Sequence, residues 1–248
     1  MQLVKSAIAS VAVVSLLVAC SSDSPTPASD AGATDAKKDT AVVTHTGVGD
    51  GATTTCKPQD VSSFQPAAGT SPVVAAGACT AKDLTDYYAA CIDPGNQNDC
   101  DAFEKNAAKA NCVKCMYTLD SASKLGAITE DDQQIIHVNI AGCLEVKGDA
   151  ACAKAVRDSD QCGDAACPGT VCPVPADDTG AAFDALQACL SKADDTVCKT
   201  YADKADCGSV EADGGTAAAL ACVAPPSTTD FFYDSFLKIG QVLCIDGK

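Results

Sequence analysis

Hydrophobic and polar positions divide the chain into three stretches. Apolar and small residues run from Ser6 to Ala19 behind a single Lys5. At ~1.5 Å per residue a helix of this run reaches only about 21 Å, short of the ~30 Å hydrocarbon core, so it reads as the apolar region of a signal peptide rather than a membrane span. Residues 20–55 hold Ser, Thr, Ala, Gly, Asp and Pro with almost nothing to bury. They predict a disordered tether with an r.m.s. span of about 30–35 Å. From residue 56 onward apolar positions recur at the helical i, i+3/i+4, i+7 spacing.

Four amphipathic stretches in this last region each follow a threonine. Thr80 precedes Leu84, Tyr87, Tyr88 and Cys91; Thr129 precedes Ile136, Ile140, Cys143 and Leu144; Thr179 precedes Phe183, Leu186 and Leu190; Thr229 precedes Phe232, Phe236, Ile239, Leu243 and Cys244. Thr80–Asp83 and Thr129–Asp132 fit the [ST]-x-x-[DE] cap, in which the hydroxyl and the carboxylate satisfy free N–H groups at a helix start. The four threonines are 49, 50 and 50 residues apart, which predicts a repeat of about 50 residues with a shortened last copy. Three cysteine pairs, Cys91/Cys100, Cys143/Cys152 and Cys189/Cys198, share one spacing, and Asp99, Asp149 and Asp195 stand where a second helix of each copy would be capped. No alternating apolar-polar run rich in Val, Ile and Thr signals a strand. The expected fold is all-α: a disulfide-rich array of about three helical hairpins plus a closing C-terminal helix.

Composition explains why such a fold needs cross-links. The chain has no Trp and only 4% aromatic residues, so its core is built from smaller side chains that each bury less area. Its 17 cysteines are a number rare in reduced compartments. Setting Cys20 aside leaves an even sixteen. The expected bridges are Cys91–Cys100, Cys143–Cys152 and Cys189–Cys198, with Cys79–Cys112 as a second rung of the first hairpin and Cys91–Cys112 as an alternative if the helices slide.

Leu17-Val18-Ala19-Cys20 resembles the lipobox of bacterial lipoproteins, with small residues at the two positions before the cysteine. The resemblance is confined to this segment. It implies a diacylglyceryl group on the Cys20 sulfur, cleavage just before Cys20 and acylation (palmitate or similar) of the new amine; two or three chains, at ~0.8 kcal/mol per buried methylene, make such attachment stable. Ser21 in place of Asp goes, in many Gram-negative lipoproteins, with export to the outer membrane. The organisation expected is a signal peptide over 1–19, a tether over 20–55 and a cysteine-rich helical domain over 56–248, lipid-anchored in the cell envelope with the domain in an oxidising compartment. The membrane is then one partner, through Cys20.

Charge narrows the other partners. The net charge is −16, and Arg157 is the sole arginine; such a surface repels nucleic acid and lacks the guanidinium forks that grip phosphate. Only four of the 33 acidic residues are Glu (Glu104, Glu130, Glu145, Glu211), and the dominance of Asp suits caps and turns, with weak cation binding as a further possibility. Cys112-Val-Lys-Cys115 has the spacing of a redox, zinc or haem-attachment motif, but Met116 stands where haem attachment needs His. Cys167 and Cys172 offer a second close pair. His45 lies in the tether and His137 in an expected helix; neither has a catalytic constellation. Asp131-Asp132, Asp177-Asp178 and Asp194-Asp195 read as caps and loops. Phe231-Phe232-Tyr233-Asp234-Ser235-Phe236 reads as the closing helix, with an exposed aromatic patch for a partner as the alternative. No catalytic residue, metal ligand or cofactor is expected. The functional expectation is a non-catalytic binding or structural module whose partner is a protein or glycan; the alternative is an envelope thiol-redox or metal-binding protein using Cys112, Cys115, Cys167 and Cys172.

Overall fold

The computed structural model describes residues 56–93, 97–175, 180–208, 215–225 and 228–248. The expected signal peptide and tether, with Cys20 and His45, and also Thr179, Asp177-Asp178 and Glu211 lie outside the described residues. Among the described residues the protein is mostly helical, cross-linked by disulfides, with one small sheet. No described helix is long and apolar enough to cross a membrane.

The first helix starts as its capping residues dictate. Thr80 accepts from the Asp83 amide while the Asp83 carboxylate accepts from the Thr80 amide, closing both ends of a capping box. Helix α1 (Ala81–Tyr87) then widens into a π-helical turn, Tyr88–Ile92. Helix α2 (Gln97–Glu104) packs back against that turn, and α3 (Ala110–Met116) follows a short 3-10 turn capped by Asn106. Asp99 lies inside the first turn of α2 rather than at its cap.

The second copy departs from the all-α expectation. Thr129 caps nothing: it sits in β2 (Ile128–Glu130), the centre of a three-stranded sheet with β1 (Tyr117–Leu119) parallel on one side and β3 (Ile136–Val138) antiparallel on the other. Tyr117 pairs with Ile128, and Ile128 with Val138. The cause is the turn at Asp131. Its side chain accepts from the Gln133 and Ile135 amides, and Gln134 takes a positive φ of 64°, a conformation that interrupts a helix. The β-branched run Ile135-Ile136-His137-Val138 then fits a strand better than a helix.

Helix α4 (Ile140–Val146) begins at Asn139, whose side chain accepts from the Gly142 amide. Only Lys147, Gly148 and Asp149 separate it from α5 (Ala150–Ala166), and the two pack side by side. Asp149 is the α5 cap, accepting from the Cys152 amide. Helices α6 (Ala181–Asp195), α7 (Lys199–Ala205), α8 (Ala217–Cys222) and α9 (Phe231–Gly240, continued as a π-helical turn to Asp246) complete the described fold. Asp195 is the last residue of α6, not a cap, and Asp230 rather than Thr229 caps α9. The 50-residue spacing of threonines therefore does not mark a recurring cap.

Nor is the fold a row in which each unit meets only its neighbours, as a solenoid would be. The last segment returns to the first: the Ala75, Gly77 and Cys79 amides donate to the carbonyls of Leu243, Ile245 and Cys244, and α9 packs on α1.

Two hydrophobic cores lie along α5. The larger gathers Leu84, Tyr87, Met116, Ile128, Leu144, Phe236, Ile239 and Leu243. The smaller gathers Ile135, Val174, Leu186 and Ala193, with Phe64 and Tyr201 stacked edge-on at its margin. Helix α5 serves both, with Cys152, Ala153 and Val156 in the first and Cys162, Ala166 and then Cys167 in the second. Its 17 residues span about 25 Å. Ile135 and Ile136, adjacent residues that point to opposite faces of an extended chain, divide between the cores in the same way.

Candidate functional site

Sulfur is the densest chemistry in the domain. All sixteen cysteines from Cys56 onward are joined, as Cys56–Cys172, Cys79–Cys112, Cys91–Cys100, Cys115–Cys244, Cys143–Cys222, Cys152–Cys207, Cys162–Cys198 and Cys167–Cys189. Five bridges sit in the larger core and three in the smaller. None crosses between them.

Two of the expected bridges are corrected. Cys143 and Cys152 belong to adjacent helices, but each faces a third element: Cys143 meets Cys222 on α8, and Cys152 meets Cys207 in the 3-10 turn after α7. Cys189 cannot reach Cys198 because α6 does not stop at the cysteine. It runs on to Asp195, carrying the chain about 9 Å further along the axis. Cys189 instead meets Cys167 at the end of α5, and Cys198 meets Cys162. The Cys91–Cys100 and Cys79–Cys112 bridges are present: there the helix does end just past Cys91, at Ile92.

The close pairs do not act as pairs. Cys112 and Cys115 lie in α3, buried, and are bonded to different partners, Cys79 and Cys244. Cys167 and Cys172 are likewise bonded to Cys189 and Cys56. Among the described residues, two sets of donor atoms lie within 4.8 Å of one another, Cys56/Cys172/Cys189 and Cys91/Cys100/Glu104. Every cysteine in them is in a disulfide, and a disulfide sulfur lacks the thiolate charge by which zinc is held.

A second cluster surrounds His137, which lies in β3 and not in a helix. Its Nε2 is 3.3 Å from Asp131 Oδ2. Burial opposes charge on the ring, yet the Asp131 hydrogen bond and the fields of Asp131, Asp164 and Asp160 outweigh it and raise its pKa. Burial also works against the Asp131 carboxylate, but His137 and the amides of Ile135 and Gln133 lower its pKa. On α5, Asp160 is exposed at the surface, and its carboxyl is pushed up to about 6 by desolvation first and then by the Asp164 carboxylate. The pair Asp131–His137 fixes the β2–β3 turn, and the turn in turn meets the smaller core, where Gln133 Oε1 accepts from the Val174 amide at 2.9 Å.

Two of the scarce Glu residues and the single Arg hold elements together. Glu130, 7% exposed, accepts from the Tyr117 hydroxyl. Arg157 bridges α5 to α4 through Glu145 at 2.6 Å. Asp83, also buried, pairs with Lys109 besides capping α1. Burial alone would raise the Asp83 pKa; Lys109 and the Thr80 donors together lower it.

The closing helix buries Phe236 and Ile239 completely, while Phe231 stays exposed. Tyr88 stands against Tyr233 and Phe232, with ring centres 4.5 and 6.3 Å away, and its hydroxyl donates to Asp230 at 3.1 Å. Much of the aromatic run is thereby spent on packing. Asp194 and Asp195 end α6, and burial followed by the Asp195 charge raises the Asp194 pKa.

The His137–Asp131 pair and the Glu130–Tyr117 contact are not legible in the sequence pattern, because both depend on the sheet. The signal available was the rarity of Glu together with the β-branched run before Asn139. No protein-family model, curated protein or solved structure matches the chain.

Proposed function

We propose that the protein is a lipid-anchored lipoprotein of the bacterial cell envelope, probing or bracing its surroundings with a non-catalytic, disulfide-framed helical domain. One observation carries this reading: the folded region consumes sixteen cysteines in eight bridges and leaves one. The one left is Cys20, at the position where the lipobox resemblance calls for lipid. Eight disulfides support an oxidising compartment, since thiol buffers of the cytosol keep such cysteines reduced.

The binding or structural role rests on what the polar residues are engaged in. Asp83, Glu130, Asp131 and Glu145 hold caps, strands, turns and helix pairs, and the cysteines that would have served a redox or metal site are bonded. A partner is sought among proteins and glycans, because the acidic surface disfavours nucleic acid.

The test is metabolic labelling with palmitate in a lipoprotein-processing bacterium, followed by membrane fractionation. Label on the wild type, lost together with membrane attachment in Cys20→Ser, supports the reading. An unlabelled protein released in soluble form overturns it.

A further inference from the structure

Three sulfurs of two separate disulfides meet at one place in the smaller core. The Sγ atoms of Cys56, Cys172 and Cys189 all lie within 4.8 Å of one another, although Cys56 is bonded to Cys172 and Cys189 to Cys167. Their exposure is graded: Cys56 is part-exposed, while Cys172 and Cys189 are 2% and 1% exposed. Cys100 and Cys207 are the other part-exposed cysteines among the described residues, and neither has a sulfur of another bridge in such a group.

From this geometry we infer that Cys56 is a site of thiol modification, and that attack there by a low-molecular-weight thiol is relayed inward to Cys167. Exchange proceeds by a thiolate attacking one sulfur of a disulfide and expelling the other. The incoming thiolate bonds to Cys56 Sγ, and the Cys56–Cys172 bond breaks. Its electron pair leaves on Cys172. That thiolate, already beside Cys189, bonds to Cys189 Sγ, and the Cys167–Cys189 bond breaks in turn. Cys167 leaves as a thiolate and takes up the proton that the incoming thiol gave up. The products are a mixed disulfide on Cys56, a new Cys172–Cys189 bridge and a Cys167 thiol. The number of disulfide bonds is unchanged.

Two local features favour this end state. Cys167 is the C-cap residue of α5 and 2% exposed, and both a helix C-terminus and burial favour a thiol over a thiolate. The protonated Cys167 then attacks nothing. At the other end, a second thiolate bonds to the thiol carried on Cys56, the two leave together as a small-molecule disulfide, and the Cys56 sulfur, which lies 3.1 Å from the Ala185 carbonyl oxygen, takes up the proton. That oxygen accepts the new S–H.

The exchange changes what holds the start of the domain. With Cys56 released, residues 56–78 are no longer covalently fixed, since the next bridge is at Cys79. They keep only noncovalent ties, such as the Gln59 amide to Ala166, the Ala67 amide to Gln161, and Phe64 on Tyr201. If the lipid anchor proposed above is correct, those residues add reach to the tether.

The experiment treats the oxidised full chain with glutathione, then traps every thiol with excess N-ethylmaleimide in denaturant at mildly acidic pH, so that buried thiols are reached, and maps peptides without reductant. The expected result is glutathione on Cys56, N-ethylmaleimide on Cys167 and a Cys172–Cys189 cross-link, all rising together. Glutathione on Cys56 with N-ethylmaleimide on Cys172 and an intact Cys167–Cys189 bridge would overturn the relay. A Cys56 that stays unmodified would overturn the site itself. Neither readout depends on whether Cys20 carries lipid, which palmitate labelling decides separately.

Discussion

Cys115 and Cys244 are bonded across 129 residues of sequence. The link ties α3, at the edge of the sheet, to the π-helical turn that follows α9, and it lies where the last segment hydrogen-bonds to residues 75–79. Closing so long a loop should restrict the unfolded chain by about 2–5 kcal/mol. A Cys115→Ala/Cys244→Ala double variant, exported and oxidised normally, is expected to lose that amount in urea unfolding. An unchanged midpoint would mean that the other seven bridges already impose the same restriction.

Asp83 carries three duties: it completes the α1 capping box, accepts from the Thr80 hydroxyl and pairs with Lys109 while buried. Asp83→Asn removes the charge and leaves Lys109 without its partner, at an expected cost of about 2–3 kcal/mol from a weakened capping box and a partly buried pair broken from one side, while the Thr80 cap itself remains. The Asp83 pKa is lowered in the fold. Its contribution is therefore complete above the unfolded value of 3.8 and is lost as pH falls through the folded one. Acid unfolding of the variant should show a shallower pH dependence than that of the wild type.

His137 predicts a dependence on the other side. Its pKa is raised in the fold, so the stabilisation is complete below the unfolded value of 6.5 and is lost as pH rises through the folded one. Because the side chain is 47% exposed, solvent screening keeps the effect small. His137→Gln should lower Tm at pH 6 and converge with the wild type by pH 9. A constant difference across that range would show that packing, not charge, is what His137 supplies.

Gly126 lies where the chain between β1 and β2 passes over the end of α3. A Cβ there would stand 2.8 Å from the carbonyl oxygens of Cys115 and Met116, backbone atoms that cannot swing aside. Gly126→Ala should cost about 1–3 kcal/mol through overpacking, while Ala127→Gly, at the next residue, removes a buried methyl without forcing any shift. Denaturant midpoints of the two variants separate crowding from simple loss of burial.

What the sequence made legible was local. Thr80 and Asp83 announce α1, Asp149 announces α5, and the period of Phe232, Phe236 and Ile239 announces the closing helix, because a cap or an amphipathic face is written within a few residues. Thr129–Asp132 has the same letters as Thr80–Asp83 and forms no cap. Asp131 captures the turn first, and the strand pairing of Thr129 with His137 is a contact that no helical period records. The cysteines divide along the same line. Cys91–Cys100 lies where a helix really ends, whereas the partners of Cys143, Cys152, Cys189 and Cys198 are set by which other element each face meets. The sulfur cluster at Cys56 was invisible for that reason: it joins Cys56 to Cys172 and Cys189, more than 100 residues further along the chain.

The most direct test of the whole account is the intact mass of the protein isolated from the envelope of a producing bacterium without reductant. The account predicts a chain that begins at Cys20, carries diacylglyceryl and acyl groups, is lighter by the hydrogens of sixteen oxidised cysteines, and takes up no alkylating agent. A mature chain without lipid, or one whose cysteines alkylate freely, would contradict it.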